Sequence, residues 1–139
     1  MATLDNLSFT ADPWRLELSV GAADAEGWRS GGLRLLRGPE HAELLAVPIA
    51  LYGEELATLV DLLRKLADGR VERLDHEPLE PSFLLRARRL GDGRLEMAWF
   101  VDQGQAESGT STDTGLGVLM QTDAGALERF ADDLAVEAG

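Results

Sequence analysis

Apolar residues alternate with polar ones early in the chain: Trp14, Leu16, Leu18 and Val20 are separated by Arg15, Glu17 and Ser19. A period of two predicts a strand with one wet face. Gly21 to Gly27 reads as a turn, and Trp28 to Leu36 as a second strand in which Gly31 and Gly32 mark a bulge or bend. Leu45, Val47, Ile49 and Leu51 form a third apolar row. Pro48 places that strand at a sheet edge or a bulge, because proline has no N–H to give a ladder. From Gly53 to Asp68 the period changes: Leu56, Leu59, Val60, Leu63 and Leu66 recur at three- and four-residue steps and share one helical face. Glu54 and Glu55 suit the start of that helix, Arg64 and Lys65 its end, and Gly69 a left-handed position just beyond it.

After an acidic, proline-bearing connection from Glu72 to Pro81, two runs, Phe83 to Leu90 and Arg94 to Asp102, flank Gly91-Asp92-Gly93. This is a hairpin signal. A three-residue loop with Gly93 left-handed sets Arg88 opposite Glu96, and Phe83, Leu85 and Ala87 opposite Val101, Trp99 and Met97, which separates polar from apolar cleanly. A polar loop, Gln103 to Asp113, leads to a last strand from Thr114 to Gln121. A second helix opens at Thr122 or Asp123, carries Leu127, Phe130, Ala131 and Leu134 on one face, and runs to Val136. An offset of 71 residues pairs Val47 with Val118, Ile49 with Met120, Leu56 with Leu127, Leu63 with Leu134 and Trp28 with Trp99. Each half then reads strand–strand–strand–helix. A duplication gives this pattern, and so do any two amphipathic strand–helix units. The expected architecture is a single α+β domain over 1–139: a largely antiparallel sheet of six strands with two helices on one face. Residues 1–12 form a loosely held lead-in.

Composition narrows what such a domain can do. Of 139 residues, 45% are apolar and 27% charged, enough for a core. Thirteen basic against twenty-five acidic residues leave a net charge of −12, which repels phosphate backbones and anionic lipid and weighs against nucleic-acid and membrane-surface roles. Without cysteine there are no disulfides, thiolate metal sites or cysteine nucleophiles. The N-terminus has no signal-peptide core and the chain no apolar window of about 18 residues, so a cytoplasmic, bacterial-type protein is expected.

Candidate chemistry is sparse. His41 sits in a turn and His76 in Asp75-His76-Glu77. Asp75, His76 and Glu80 could be imagined around a metal, but the spacing is not that of a bounded site, and a solvated acidic loop is the plainer reading. Ser108 and Ser111 lie in a polar stretch, Glu107 to Thr112, that reads as mobile linker, and no nucleophile elbow is present. Gly115-Leu116-Gly117 is a fragment of a dinucleotide fingerprint set in a strand pattern, where glycines would let a helix approach the sheet. Arg86 and Arg88 share the outward face of one strand, with Arg73 near in sequence: an anion-docking patch, or partners for Glu96 and other acids. Trp14, Trp28 and Trp99 at alternating positions read as core. No catalytic, cofactor or metal residue is assigned.

The run Phe83 to Arg88 followed by Gly91-Asp92-Gly93-Arg94-Leu95-Glu96-Met97 resembles the recurring hairpin of small bacterial α+β proteins of the WapI-like type. Gln121-Thr122-Asp123 with Leu127, Phe130 and Leu134 resembles their closing strand-to-helix step. The resemblance covers chiefly 83–136 and, more loosely, 47–66. Some of those relatives are suspected toxin immunity proteins, and the family pattern brings no catalytic residues. The function expected is a non-enzymatic acidic protein-binding domain, of the kind that inhibits a basic toxin. Its partner contacts would be Asp75, Glu77 and Glu80 in one connection and Glu107 and Asp113 in the other. Two alternatives stand beside it: a small-molecule sensor or minor enzyme with a pocket between sheet and helices, and a structural protein that homodimerises through an apolar patch around Leu84, Phe100 and Leu44.

Overall fold

A computed structural model describes residues 1–6, 13–112 and 114–138. The chain is α+β, with two four-stranded antiparallel sheets in place of one six-stranded sheet, and three helices in place of two. The first sheet runs β1 (Ala2–Asp5), β2 (Trp14–Ala23), β3 (Trp28–Arg37) and β4 (Ala42–Tyr52) in simple meander order, and helix α1 (Glu55–Ala67) follows. The second sheet is built the same way from β5 (Arg73–His76), β6 (Phe83–Arg89), β7 (Leu95–Asp102) and β8 (Gly115–Thr122). A short helix α2 (Gln103–Ser108) precedes β8, and α3 (Ala124–Ala138) closes the chain.

The two strands missing from the sequence reading are the short ones. Ala2–Asp5, expected as a loose lead-in, pairs with β2 and buries Ala2 and Leu4; residues 7–12 lie outside the described residues. Arg73–His76, expected as an acidic connection, pairs with β6 and buries Leu74 and His76. Four residues give too short a window for alternation to stand out. Each half is therefore four strands and a helix. The 71-residue offset that aligns β4 with β8 and α1 with α3 also carries Ala2–Asp5 onto Arg73–His76. It fails for the tryptophans. Trp99 pairs with Val118, the counterpart of Val47, and Val47 pairs with Leu33, so Leu33 and not Trp28 takes the place of Trp99 in the first half.

The hairpin has the predicted register: Arg88 faces Glu96, Ala87 Met97, Leu85 Trp99 and Phe83 Val101, with Gly93 left-handed at φ +84°. Helix α1 ends as its sequence requires. Gly69 is left-handed, its N–H reaches the Leu66 carbonyl and the Arg70 N–H that of Lys65, the paired bonds of a Schellman motif. Asp123 caps α3, accepting from the Ala126 N–H at 2.8 Å. Pro48 stands on β4, an edge strand.

The bulge expected at Gly31-Gly32 falls on the other strand. Four residues of β2, from Val20 to Ala23, oppose three of β3, from Gly31 to Arg29. Gly31 matters for close approach instead: a Cβ there would stand 1.9 Å from the Ser19 carbonyl oxygen.

The polar stretch after β7 is ordered by Asp102, whose carboxylate accepts from the Gln105 N–H at 2.8 Å and starts α2, while left-handed Gly109 ends it. Gln103–Ser108 is thus a helix with Gly104 and Gln105 buried, not linker.

α1 and α3 pack on each other. α3 also lies against β1 and β2, and α1 against β5 and β4, so each helix touches strands of the other half. One continuous apolar core results, from Leu4, Leu16 and Leu33 through Leu59 and Leu63 to Trp99, Phe130 and Leu134. Among the described residues no helix is long and apolar enough to cross a membrane.

Candidate functional site: the outer face of the second sheet

The outward faces of the two sheets differ. On the first, charges face each other across strands and pair. Arg15 donates to both Asp5 oxygens at 2.7 and 3.2 Å, and Arg34 lies 3.1 Å from Glu17 and 2.9 Å from Glu43. Short ladders of this kind close a face to further ion pairing.

On the second sheet, period two and the observed register place four cross-strand rows on the outer face. The first row holds Arg73, Arg88, Glu96 and Gln121, the second Asp75, Arg86, Ala98 and Leu119. The third holds Leu84, Phe100 and Gly117, and the fourth Asp102 and Gly115. At about 6.6 Å between successive rows they cover roughly 20 Å of sheet.

The middle rows are apolar and exposed. Phe100 is 43% and Leu119 62% accessible, with Leu84 and Ala98 half-buried beside them. Gly117 makes room for Phe100: a Cβ at 117 would come within 2.7 Å of two ring carbons, so the ring lies across β8. The glycines of β8 thus serve strand β7, not an approaching helix. Gly115 likewise faces the Val101 carbonyl, where a Cβ would sit at 1.7 Å.

Charge is divided between the ends. At one, Arg73 and Arg88 are cross-strand neighbours, Arg88 bonds Glu96 at 2.9 Å, and exposed Arg86 lies 3.4 Å from Asp75. The Arg73 side chain has no hydrogen bond or ion pair among the described residues, and like charges placed directly opposite disfavour the pair. A shallow hollow of about 370 Å³ lies over this end. At the other end an open groove of about 270 Å³ is bordered by Glu77, Asp102, Leu84 and Phe100.

The five expected contact residues fall as follows. Asp75 and Glu77 are exposed at this sheet, Asp75 toward its basic end and Glu77 on the groove. Glu80 is tied inward, accepting from Gln105 Nε2 at 2.6 Å, and Glu107 accepts from Gln103 Nε2 at 3.1 Å on α2. Asp113 lies outside the described residues. The Glu80–Gln105 bond brings both connections to the acidic end. Leu84 and Phe100 are direct cross-strand partners, whereas Leu44, grouped with them on sequence, belongs to β4 of the first sheet. Leu119 was not singled out. Its strand is apolar at almost every position, so alternation does not mark which residues point outward.

His76 is no part of a solvated loop. It faces inward, 8% exposed, with its ring 6.0 Å from Phe83, while Asp75 points the other way. Among the described residues no three His, Asp or Glu side chains gather as metal ligands. Of the tryptophans, only Trp99 is core; Trp14 and Trp28 end strands half-buried, Trp14 under Arg37 and Trp28 against Tyr52.

Desolvation lowers the His76 pKa below its ordinary 6.5, against a smaller upward pull from Glu55. The unfolded chain therefore takes up a proton as pH falls through about 6.5, and the folded chain only at lower pH. The stability that His76 contributes as a neutral group is complete above that value. It is lost as pH falls toward the folded pKa, at up to about 1.4 kcal/mol per pH unit. Urea unfolding between pH 7.5 and 5.5 should show a steeper loss for the native chain than for His76→Phe; equal slopes would contradict it.

Family models give no match to this chain, and neither do curated proteins. Among solved structures it is similar to a chain of the MRP1/MRP2 crystal structures from Trypanosoma bruciei, with a TM-score of 0.54. Sequence identity is 10%, over 96% of this chain and 81% of that one. At that identity the likeness is one of fold.

Proposed function

We propose that the chain is a non-enzymatic, acidic protein-binding domain whose contact surface is the outer face of the second sheet. The observation that carries this reading is the strip of exposed Phe100 and Leu119 with half-buried Leu84, set between charged ends on a sheet face that no other element covers among the described residues, in a protein whose first sheet pairs Arg15 with Asp5 and Arg34 with Glu43. Exposed aromatic and aliphatic anchors ringed by polar groups are the anatomy of a protein contact.

The net charge of −12 and the resemblance to WapI-like proteins extend the reading to an immunity-type inhibitor of a basic partner. A lysine or arginine of that partner would lay its stem on Phe100 and Leu84 in the groove and bring its charge to Glu77. Electrostatic steering would speed the encounter and fade with salt.

The test is affinity capture from the native cell, at low and high salt, with the native chain and with Phe100→Asp. A basic protein held by the native chain, released as salt rises and lost with Phe100→Asp, is the expected result. A partner retained by Phe100→Asp with unchanged affinity would overturn the assignment of the face.

A further inference from the structure

Each sheet leaves two strands at its edges, β1 and β4 in the first, β5 and β8 in the second. An edge carries unpaired N–H and C=O groups, and proteins keep other chains off it with short strands, charges or proline. β1 and β5 are four residues long. β4 carries Glu43 and Pro48, and α2 packs beside it. β8 has none of these protections: Gly115–Thr122 is eight residues without a charge or a proline. The β7–β8 ladder fixes which of its groups are unpaired. The Gln103 N–H bonds the Thr114 carbonyl across the ladder, whereas the Gln121 N–H turns the other way, to Asn6 Oδ1 at 3.0 Å. In an antiparallel ladder these directions alternate, so Gly115, Gly117 and Leu119 also present N–H and C=O away from β7. Those groups have no partner among the described residues. The same run is exposed, with Leu116 56% accessible and Val118 half-buried. It ends where Met120 is enclosed and Asn6 holds Gln121, so the open edge is centred on Gly117.

We infer that the β8 edge pairs with the β8 edge of a second copy, antiparallel about Gly117, joining the two second sheets into one. The inference goes beyond the proposed contact face and does not depend on it. Unpaired backbone groups in a row call for an extended strand. The side chains flanking them, Leu116, Val118 and Leu119, offer no counter-charge, so the incoming strand must be uncharged and apolar on both faces. β8 is itself such a strand. About Gly117, Leu116 of each copy stands opposite Val118 of the other, Gly115 opposite Leu119, and Gly117 opposite Gly117. No charge meets a like charge along this pairing, although each copy carries −12 overall. A glycine facing a glycine is a weak cross-strand pair unless an aromatic ring shelters it. Here the Phe100 ring of each copy already lies across its own Gly117.

The decisive experiment combines sedimentation equilibrium with cross-linking of the purified full chain. The native chain should sediment at twice its 15.0 kDa monomer mass. Because both copies are strongly acidic, the dimer should tighten as salt rises, the reverse of the basic-partner capture above. Leu116→Lys puts the usual edge-guarding residue on an exposed position and should weaken the dimer at least ~10-fold without lowering the urea midpoint. The chain has no cysteine of its own, so introduced thiols report the register. Leu116→Cys mixed with Val118→Cys should form a disulfide-linked dimer on mild oxidation. Leu116→Cys alone should not, because its two copies stand diagonally, beyond disulfide reach. A native chain that stays monomeric, a dimer indifferent to Leu116→Lys, or a mixture that fails to cross-link would each overturn the inference. So would a monomer whose Leu116→Cys thiol cross-links only to another protein in native-cell extract, which would assign the edge to a foreign strand. A monomeric chain that still loses a captured partner on Phe100→Asp refutes the second copy and leaves the contact face standing. A dimer with capture unaffected by Phe100→Asp does the reverse.

Discussion

Replacing Trp99 by alanine should lower the free energy of unfolding by about 3–5 kcal/mol, the range for deleting a large, fully enclosed aromatic. Trp99 has no accessible surface, and its ring stands 6.0 Å from Phe83 and 6.2 Å, edge-on, from Phe130 of α3. It therefore joins the inner face of the second sheet to the closing helix, and truncation leaves a void that rigid neighbours on both sides cannot fill. Trp14 and Trp28 supply the comparison. Both are half-buried at strand ends, where the side chain can be trimmed without enclosing a cavity. Their alanine variants should cost about 1 kcal/mol each. Urea midpoints at constant m-value give the ranking. Equal losses at Trp28 and Trp99 would mean that the offset of 71 residues, which equates them, describes the fold better than the observed register does.

A second large effect is expected at Gly31. Its Cβ position lies 1.9 Å from the Ser19 carbonyl oxygen and 2.9 Å from the carbon behind it. Those are backbone atoms of the neighbouring strand, so no side-chain rotation relieves the clash; β2 and β3 must separate beside the bulge. Gly31→Ala should cost about 2–3 kcal/mol, in the upper range for overpacking. Gly91→Ala is the control, since nothing lies within 4 Å of a Cβ there and φ is not positive, and it should change stability by less than about 0.5 kcal/mol. If the two variants unfold alike, the close approach of β2 and β3 at Gly31 is wrong.

What was legible in the sequence followed from long periodic segments and from turn chemistry. α1 shows thirteen residues with an unbroken apolar stripe and a glycine at its end. The β6–β7 register follows from Gly93 and from the rule that polar Arg88 should meet Glu96. The failures have equally physical causes. β1 and β5 are four residues each, so their membership in a sheet comes from partners far along the chain, β2 and β6, and not from local pattern. Two sheets cannot be told from one when every pairing is a meander, because which strands stay unpaired is decided by how the helices cross between the halves. α2 was hidden by its polarity: Gln103–Ser108 is held by the Asp102 cap and by burial of Gly104, not by an apolar face.

The site divided along the same line. Leu84 and Phe100 were legible because they oppose each other in a register that the turn dictates. Leu119 was not, because β8 is apolar on both faces. His76 looked like part of an acidic loop because Asp75 and Glu77 flank it. In a strand those neighbours point outward while the imidazole points inward, and the polar flanks concealed a core position.

The most direct test of the contact face is carbene footprinting of the chain in native-cell extract against the same chain purified and dilute. Labelling should fall at Leu84, Phe100 and Leu119 in the assembled form while Ala46 and Pro48, on the first sheet, label equally in both. Protection at Ala46 and Pro48 with Phe100 and Leu119 unchanged would place the interaction on the other sheet and contradict the account.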